Sequence, residues 1–309
     1  MYVMTDISGG RVSLPGTPDS VYNDLVKKVL VEGEWQDGRN GTTKSLFGHM
    51  MRFSLRDDAI PLLKSKRVAW KTCLKELLWF IRGSTDNREL KRENVHIWDA
   101  NGSREFLDSR GLQHLEEDDL GAVYGHQWRH FNAEYKGRDE SYEGKGIDQL
   151  QYVIDQLANP KTRTSRRIVM SAWNPCQIDE MALPPCHVLC QFHVSGENND
   201  ELSCMLYQRS GDVGLGVPFN IASYSMLTHI IAKRTGLKAK EFVHTLGNAH
   251  IYDDHIEALV EQISREIPDT PPVKFVVNGY KERLEEYTVD DFQVVGYEPC
   301  SVVKMAMRA

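Results

Sequence analysis

The sequence lacks the features that define several large classes of protein. Its cysteines form no CxxC pair, and the six of them in 309 residues are dispersed, so we expect no metal site and no structural disulfide. No apolar run approaches the roughly 18 to 20 residues that a bilayer span needs. The first residues also lack the basic and apolar regions of a signal peptide. We therefore expect a protein without a membrane partner.

An excess of positive charge is missing as well. The chain has 37 Lys and Arg against 44 Asp and Glu, for a net charge of -7, which argues against a wide nucleic-acid surface. A local basic pocket for one small anion is compatible with that balance. We expect a cytoplasmic protein, with nuclear or organellar pools left open, whose phosphate-bearing partner is small.

The remaining composition, 41% hydrophobic and 26% charged residues, is that of a globular protein. Residues 1–20 are rich in Gly, Pro, Ser and Thr without periodicity, which indicates a flexible N-terminal arm before a folded domain at 21–309. Helical spacing of apolar residues and apolar or alternating runs then predict helices over 21–31, 69–81, 147–157, 221–232 and 252–266, and strands over 167–173, 187–195, 202–209 and 241–246. We interpret 33–44 as a loop. The pattern predicts a single α/β (α+β) domain with a mixed, mainly central β-sheet covered by helices.

Cys186 is presented in an unusual way. Two prolines precede it and fix the backbone directly before a predicted strand, which makes its thiol a candidate nucleophile. A free cysteine has a pKa of about 8.5, so a nearby cation is needed to stabilise the thiolate, and Arg209 on a later strand is suited to that role. The alternative, a small buried hydrophobic residue, stays open for Cys186 and is our interpretation of Cys73, Cys176, Cys190 and Cys204.

Arginine and hydroxyl side chains beside glycine-rich turns predict a site for a small phosphate. Ser210 follows Arg209 at such a turn, Arg39 lies in a second loop, and Arg166 and Arg167 form a pair at the start of a predicted strand. Each arginine alone is more often a solvated surface charge. Four of them beside turns or strand ends favour an anion site.

Three further positions have two interpretations each. Glu76 lies in an apolar helical run, where desolvation would raise its pKa and suit it to proton transfer, or else on the polar stripe beside Lys75. Asn220 opens a long apolar helix, either as an ordinary cap or as a paired donor and acceptor for the edge of a heterocycle. His250 and Tyr252, on one side of an extended turn, are consistent with core packing and with ligand contact.

Taken together, these segments closely resemble the folate-dependent thymidylate synthase family. The motifs are Pro184-Pro185-Cys186-His187, Gln208-Arg209-Ser210 with Asp212, Gly216 to Tyr224, His250-Ile251-Tyr252, Glu76 to Phe80, Ile97-Trp98-Asp99, Val123-Tyr124-Gly125 with Gln127-Trp128-Arg129, and Ser165-Arg166-Arg167-Ile168. They stand in the family's order and cover the chain from about Tyr22 to the C-terminus. The insertion at 100–108 is similar to the eukaryotic branch, which includes enzymes fused to dihydrofolate reductase.

The resemblance implies a methyltransferase of nucleotide biosynthesis. It would convert dUMP to dTMP with 5,10-methylenetetrahydrofolate, a consumed co-substrate that donates carbon and hydride and leaves as dihydrofolate. Cys186 would attack uracil C6, and Asn220 would pair with uracil N3 and O4. Glu76, Trp98 and Tyr124 would organise waters and proton transfers, and Arg209 completes the catalytic set. No metal is implied.

The resemblance also assigns binding residues. Those implied for dUMP are Arg39, Arg166, Arg167, His187, Gln208, Arg209, Ser210, Asp212, Asn220, His250 and Tyr252. Those implied for the folate are Ile97, Trp98, Asn101, Asp212, Leu215, Gly216, Phe219, Met307 and Ala309. Arg166 and Arg167 would reach the partner's phosphate across the two-fold axis of a homodimer whose sheet faces pack together. Binding of the protein's own messenger RNA is an expectation from family analogy alone.

Two other functions stay open at this point. A pyrimidine nucleotide hydroxymethylase shares the nucleophile but ends with water in place of hydride, and Trp98 with an apolar folate wall favours hydride transfer. A non-catalytic homologue that binds nucleotide or RNA would not need Cys186, Glu76 and Asn220 together. A thiol hydrolase using Cys186 and His187 is disfavoured, because neighbours along a strand point to opposite faces.

Arg308 departs from the family, which usually has a small or apolar residue there. In the family the C-terminal segment closes over the folate. We expect the Arg308 cation to contact the anionic folate tail rather than to pair with the chain's own terminal carboxylate.

Overall fold

The computed structural model describes residues 16–38, 40–267 and 270–308. Two predicted site residues, Arg39 and Ala309, therefore lie outside the described residues, as do positions 1–15 of the predicted arm. Within the described ranges no helix combines the length and the apolar character that crossing a membrane requires.

A mixed β-sheet forms the centre of the fold. Its strands are β1 (Glu34–Gly38), β2 (Gly41–Ser54), β3 (Val169–Ser171), β4 (His187–Ser195), β5 (Glu201–Asp212) and β6 (Lys238–Tyr252). They lie side by side in the order β1-β2-β6-β5-β4-β3. The pair β5 and β6 is parallel, and the other neighbouring pairs are antiparallel. A separate antiparallel pair consists of β7 (Lys274–Val277) and β8 (Phe292–Val295).

Helices cover this sheet. They are α1 (Pro18–Glu32), α2 (Trp70–Ile81), α3 (Asn87–Arg92), α4 (Asp99–Gly102), α5 (Arg104–Ser109), α6 (Tyr124–His130), α7 (Gln149–Ala158), α8 (Gly216–Thr235) and α9 (Ile256–Ser264). Helix α8 makes the crossover between the parallel strands β5 and β6, as a parallel pair requires. It ends where Gly236 takes the left-handed conformation, at φ 70°. The predicted mixed α+β fold with a helix-covered central sheet is confirmed.

The N-terminal boundary differs from the expectation. Helix α1 begins at Pro18, three residues inside the segment that we interpreted as a flexible arm. Its Asp19 is buried, and the carboxylate accepts hydrogen bonds from the backbone N–H groups of Lys64 and Ser65, each at 2.9 Å. Those bonds attach the first turn of α1 to the folded domain.

The predicted loop over 33–44 is wrong, because this segment forms the β1–β2 hairpin. All five residues of β1 are exposed, so the strand has no buried face and no alternation that a sequence pattern could reveal. Strand β6 likewise extends far beyond the predicted 241–246.

The two faces of the sheet have different surroundings. Helix α8 packs on the face that carries Phe242 and His244, with Tyr224 stacked 6.1 Å from the Phe242 ring. Met50 and Tyr207 both pair with Thr245, so they lie together on the opposite face. Met205 and Val169 both pair with Gln191, one from each neighbouring strand, so they also lie on that face. Met50, Met205, Tyr207 and Val169 are 55%, 39%, 37% and 37% exposed, so one sheet face presents apolar side chains to the outside of the chain.

Candidate active site

Cys186 lies directly before the first residue of β4 and is held from the neighbouring strand. Arg209 on β5 donates from Nε to the Pro185 carbonyl and from Nη2 to the Pro184 carbonyl, each at 2.9 Å. The Arg209 backbone N–H also donates to the Cys186 carbonyl at 2.9 Å. The structure thus brings the predicted cation beside the predicted thiol, and Arg209 fastens the Pro-Pro-Cys segment in place.

Burial and charge act against each other on the thiol. Burial raises the pKa of Cys186, and the Arg209 guanidinium opposes that rise. Tyr124 at the start of α6 lies on the other side, where its hydroxyl oxygen accepts the backbone N–H of Cys186 at 2.8 Å and that of His187 at 3.3 Å. A half-buried thiol between a cation and a phenol is suited to nucleophilic attack once a ligand completes its surroundings.

Glu76 on α2 is connected to this centre through Trp98. The Trp98 indole N–H donates to the Glu76 carboxylate at 2.7 Å, and the Trp98 ring lies edge-on to Tyr124 with centroids 6.1 Å apart. Burial raises the pKa of Glu76 to about 7, although the hydrogen bond from Trp98 opposes the shift. Of the two interpretations of Glu76, the structure supports the desolvated carboxyl. A group that titrates near neutrality can both give and take a proton.

Asn220 lies inside α8 rather than at its cap. Because α8 begins at Gly216, the interpretation as an ordinary N-cap is wrong. Its Oδ1 accepts a hydrogen bond from Gln208 Nε2 at 2.8 Å. His187 is close by, and burial lowers its pKa to about 4 while a side-chain hydrogen bond with Asn220 opposes the shift. At neutral pH the imidazole and the two amides therefore form an uncharged polar wall.

The start of α8 keeps open space next to Asn220. A Cβ atom at Gly216 would lie 3.7 Å from Asp212 Cβ and 3.8 Å from Asn220 Oδ1, so Gly216 sits between these side chains. Asp212 ends β5, and its carboxylate accepts the backbone N–H groups of Gly214 at 2.8 Å and Leu215 at 3.3 Å. Leu215 and Phe219 are partly exposed there. The arrangement provides an apolar wall with one carboxylate.

Ser210, His250 and Tyr252 lie on the paired strands β5 and β6. Ser210 is opposite Asn248, and Asp212 is opposite His250. The rings of His250 and Tyr252 meet edge to face at 5.4 Å, and His250 Nδ1 lies 2.9 Å from Asn248 Oδ1. Burial lowers the pKa of His250. We had expected these residues on a turn, and the structure has them on a strand instead.

Several predicted site residues make no contact with the Cys186 region in the described part of the chain. Arg166 and Arg167 are exposed and precede β3. The neighbouring Ile168 accepts its hydrogen bond from Phe192, six residues along β4 from Cys186, which corresponds to about 20 Å. Ile97, directly before Trp98, packs against the core, and Asn101, three residues after Trp98, is buried on α4. Met307 is 63% exposed.

Sequence reasoning missed two polar groups in this region. Lys66 is buried and donates from Nζ to the Gly214 carbonyl, and burial lowers its pKa to about 8. His244 is fully buried and lies 2.8 Å from Gln208. Lys66 lies in the run Lys64-Ser65-Lys66-Arg67, which matches no motif, and His244 stands in an apolar strand pattern. In the part of the chain that the structure describes, no group of three or more His, Cys, Asp or Glu side chains is arranged to hold a metal ion.

The C-terminal segment returns to the β6 side of the site. His255 Nε2 lies 2.7 Å from the Ala306 carbonyl, and the Arg308 guanidinium donates to Asp254 at 2.6 Å. The same guanidinium lies 5.9 Å from the centre of the Tyr252 ring and 3.9 Å from the Asp253 carboxylate. Arg308 thus has an acidic partner within the chain, which neither of our two expectations included.

Comparison with known proteins agrees with this geometry. A family model described as thymidylate synthase matches residues 20–309. The chain is 54% identical to a human thymidylate synthase over 93% of this chain and 89% of that protein, and 51% identical to the Candida albicans thymidylate synthase over 95% and 98%. A bifunctional dihydrofolate reductase-thymidylate synthase from Leishmania amazonensis is 52% identical over 93% of this chain. The chain spans about half the length of that relative, 54%.

Proposed function

The chain belongs to the thymidylate synthase family, and from this premise we propose that it methylates dUMP reductively to dTMP, with 5,10-methylenetetrahydrofolate as consumed co-substrate. One observation carries the proposal. A rigid thiol, a guanidinium, a desolvated carboxyl and an amide with a fixed partner converge at the ends of β4 and β5. Each has a separate task in this reaction.

Cys186 supplies the nucleophile. Its thiolate, stabilised by Arg209, adds to C6 of the uracil, and the electron pair of the C5–C6 bond moves towards O4. Asn220 donates a hydrogen bond to the developing oxyanion at O4 and accepts one from N3–H. The carbon C5 thereby becomes nucleophilic towards the one-carbon unit.

Glu76 handles protons. With a pKa of about 7 it is close to half-ionised near neutral pH, the condition in which one carboxyl group can both deliver and remove a proton through an ordered water. Trp98 holds the carboxylate in one orientation by its hydrogen bond. Tyr124 lies between Trp98 and Cys186 and accepts the backbone N–H of Cys186. Loss of the C5 proton would break the bond between the one-carbon unit and the folate nitrogen and leave an exocyclic methylene on C5. Hydride transfer from the released tetrahydrofolate to that methylene would then expel the Cys186 thiolate, giving dTMP and dihydrofolate.

The folate supplies the carbon and the hydride. Residues fitted to hold it are Trp98 and Phe219 as apolar surfaces, Leu215 and Gly216 at the start of α8, and Asp212 as a carboxylate for a ring with N–H donors. Ile97, Asn101, Met307 and Ala309 are the further residues that we propose for this side. The phosphate and ribose of dUMP are assigned to Arg39, Arg209, Ser210, His250 and Tyr252, with His187, Gln208 and Asn220 around the base.

We further propose a homodimer in the cytoplasm. Ile168, directly after the pair Arg166 and Arg167, is about 20 Å along the sheet from Cys186, and no contact joins either arginine to the Cys186 centre among the described residues of their own chain. The apolar sheet face offers the surface for a second copy. All six cysteines are free thiols, as is usual in a reducing compartment. Messenger-RNA binding rests on family analogy alone and is not part of this proposal.

The competing functions are less well supported. A hydroxymethylase must admit water where a hydride would arrive, whereas Trp98 is only 6% exposed and held by Glu76. A binding protein without catalysis has no use for a carboxyl whose pKa is raised to about 7 beside a guanidinium-paired thiol.

The test combines turnover with covalent capture. The protein should form dihydrofolate, followed spectrophotometrically, from dUMP and 5,10-methylenetetrahydrofolate. With 5-fluoro-dUMP and the same folate, mass spectrometry should find the adduct on the peptide that contains Cys186. The variant Cys186→Ala should abolish turnover and adduct while it still binds dUMP.

Cys190→Ala is the matched control, since Cys190 is a buried thiol on the same strand. It should retain both turnover and adduct. An adduct on a peptide without Cys186, or methylene transfer without dihydrofolate, would overturn the proposal, and the second outcome would indicate a hydroxymethylase.

A further inference from the structure

A chain of buried hydrogen bonds runs behind Asn220 and ends at His244. His244 lies on β6, where it is fully buried, and its Nε2 is 2.8 Å from Gln208 Oε1. Gln208 on β5 is in turn 2.8 Å from Asn220 Oδ1 through its Nε2. The proposed reaction uses Asn220 directly, and it has so far given His244 no task.

The direction of these bonds is fixed by a backbone carbonyl. Gln208 Nε2 also lies 2.9 Å from the Ser210 carbonyl oxygen, which can only accept. The amide nitrogen of Gln208 must therefore face Ser210 and Asn220, and its Oε1 must face His244. As a result His244 donates to Gln208 and Gln208 donates to Asn220 Oδ1, so the Nδ2 group of Asn220 points away from Gln208.

The His244 ring is suited to donate a hydrogen bond to Gln208 and not to accept one from it. Burial lowers its pKa to about 3, and nearby His187 and His49 add to that effect, so the ring is neutral at physiological pH. Its Nδ1 has no hydrogen-bond partner among the residues that the structure describes. The ring's single proton therefore belongs on Nε2, because a proton on Nδ1 would leave a buried N–H unsatisfied and break the bond to Gln208.

We propose that His244 is a positioning residue for pyrimidine selectivity: by donating to Gln208 it holds the Asn220 amide in the orientation that matches uracil and not cytosine. This proposal rests on the proposed function. Uracil presents a carbonyl at C4 and an N–H at N3, which match an amide held with Nδ2 as the donor and Oδ1 as the acceptor. Cytosine presents an amine and a bare nitrogen there, so it would need the Asn220 amide rotated, with its donors turned against the Gln208 donors.

The central experiment compares three single variants by equilibrium titration with dUMP and with dCMP. His244→Leu removes the donor, and we expect the preference for dUMP over dCMP to fall about 10-fold, since the Asn220 amide gains a second orientation. His244→Gln keeps an N–H donor at a similar reach and should retain the preference. His229→Leu is the matched control, because His229 is also a buried histidine with one hydrogen bond, to the Ala59 carbonyl on the far side of α8.

The selectivity ratio distinguishes this role from a merely structural one. A destabilised protein would lose affinity for both nucleotides together, and His229→Leu would then resemble His244→Leu. Equal dUMP preference in wild type and His244→Leu, or an equal loss in His244→Leu and His244→Gln, would overturn the inference. If the wild-type protein bound neither nucleotide, the proposed function itself would fail instead.

A second measurement needs no variant and covers the case in which His244→Leu does not fold. Nitrogen-15 NMR of histidine-labelled protein reports which ring nitrogen carries the proton. The inference requires the Nε2–H tautomer at His244 with no titration between pH 5 and pH 8. A signal from the Nδ1–H tautomer would contradict it.

Discussion

Glu76 shows how one side chain takes its chemistry from its surroundings. Nothing in Leu74 to Phe80 as a sequence decides between an exposed and a desolvated carboxyl. The decision comes from Trp98, which is distant in the chain and covers the carboxylate while donating to it at 2.7 Å. The raised pKa of about 7 is therefore a property of the packed site.

We predict that Glu76→Gln lowers kcat by roughly 10²- to 10⁴-fold, the usual range for loss of a general acid or base. The amide keeps a hydrogen-bond acceptor for Trp98 but cannot exchange protons. Steady-state dihydrofolate formation measures the loss, and Glu105→Gln, an exposed glutamate on α5, serves as control with unchanged kcat. Unchanged turnover in Glu76→Gln would remove Glu76 from the mechanism.

The same substitution should change how stability depends on pH. The folded protein holds the Glu76 proton up to about pH 7, while the unfolded chain releases it near the ordinary value of 4.5. Between these values the folded state binds more protons, so the Glu76 contribution to the free energy of unfolding falls as pH rises. Urea titrations should show wild type losing stability relative to Glu76→Gln across that window and a constant difference above it.

At the residue level, sequence patterns identified the groups with an intrinsic signal. Cys186 behind two prolines and Arg209 at a glycine-rich turn were found in this way. His244 and Lys66 were not, because their partners, Gln208 and the Gly214 carbonyl, lie elsewhere in the chain. The orientation of a buried amide depends on which acceptors fold around it, and no local pattern contains that information.

Among the secondary-structure elements, those with one buried face were predictable. Helix α2 and strand β4 agree with the sequence pattern to within a residue at each end. Strand β1 was missed because both of its faces are exposed. The prediction for strand β6 ended at residue 246, directly before Gly247. In the structure the strand continues, and glycine is present because a Cβ atom at this position would lie 2.8 Å from the Arg209 carbonyl oxygen.

The C-terminal segment supports a prediction about its ion pair. Arg308→Ala and Asp254→Asn should each raise the KM for the folate by no more than about 5-fold, because an exposed pair contributes about 0 to 1 kcal/mol. The effect should fade at roughly 1 M salt, where the screening length is about 3 Å. Steady-state kinetics at low and high salt measure both.

Exchanging the two charges provides the strictest check. The double variant Arg308→Asp with Asp254→Arg should recover part of the affinity lost by either single charge reversal. Lys28→Ala, which breaks an exposed pair with Glu32 on α1, should leave the KM unchanged. If the exchange restores nothing, Arg308 acts through the folate tail, as the sequence first led us to expect.

At the scale of the whole molecule, the position of Arg166 and Arg167 predicts complementation between defective chains. Cys186→Ala protein and Arg166→Ala/Arg167→Ala protein should each be inactive. Mixing them under conditions that allow subunit exchange should restore about a quarter of the wild-type activity, since random pairing gives half heterodimers with one complete site each. Dihydrofolate formation after mixing is the measurement.

The apolar sheet face supplies the control. Adding Met205→Asp to both parents should prevent pairing and abolish the recovery, while Val31→Asp, at an exposed position on α1, should not. Sedimentation would verify the oligomeric state in each case. Heterodimers that form without any recovery would mean that each chain completes its own site.

Strand β6 also has a consequence for the order in which the protein folds. It joins the N-terminal hairpin, through β2, to the later hairpin of β4 and β5, and its parallel pairing with β5 requires α8 to be in place first. The two hairpins are local and can form early, whereas β6 closes contacts between segments far apart in the chain. Gln208, His244 and Asn220 come from β5, β6 and the crossover helix. A newly made chain should therefore acquire most of its secondary structure before it can recognise a nucleotide.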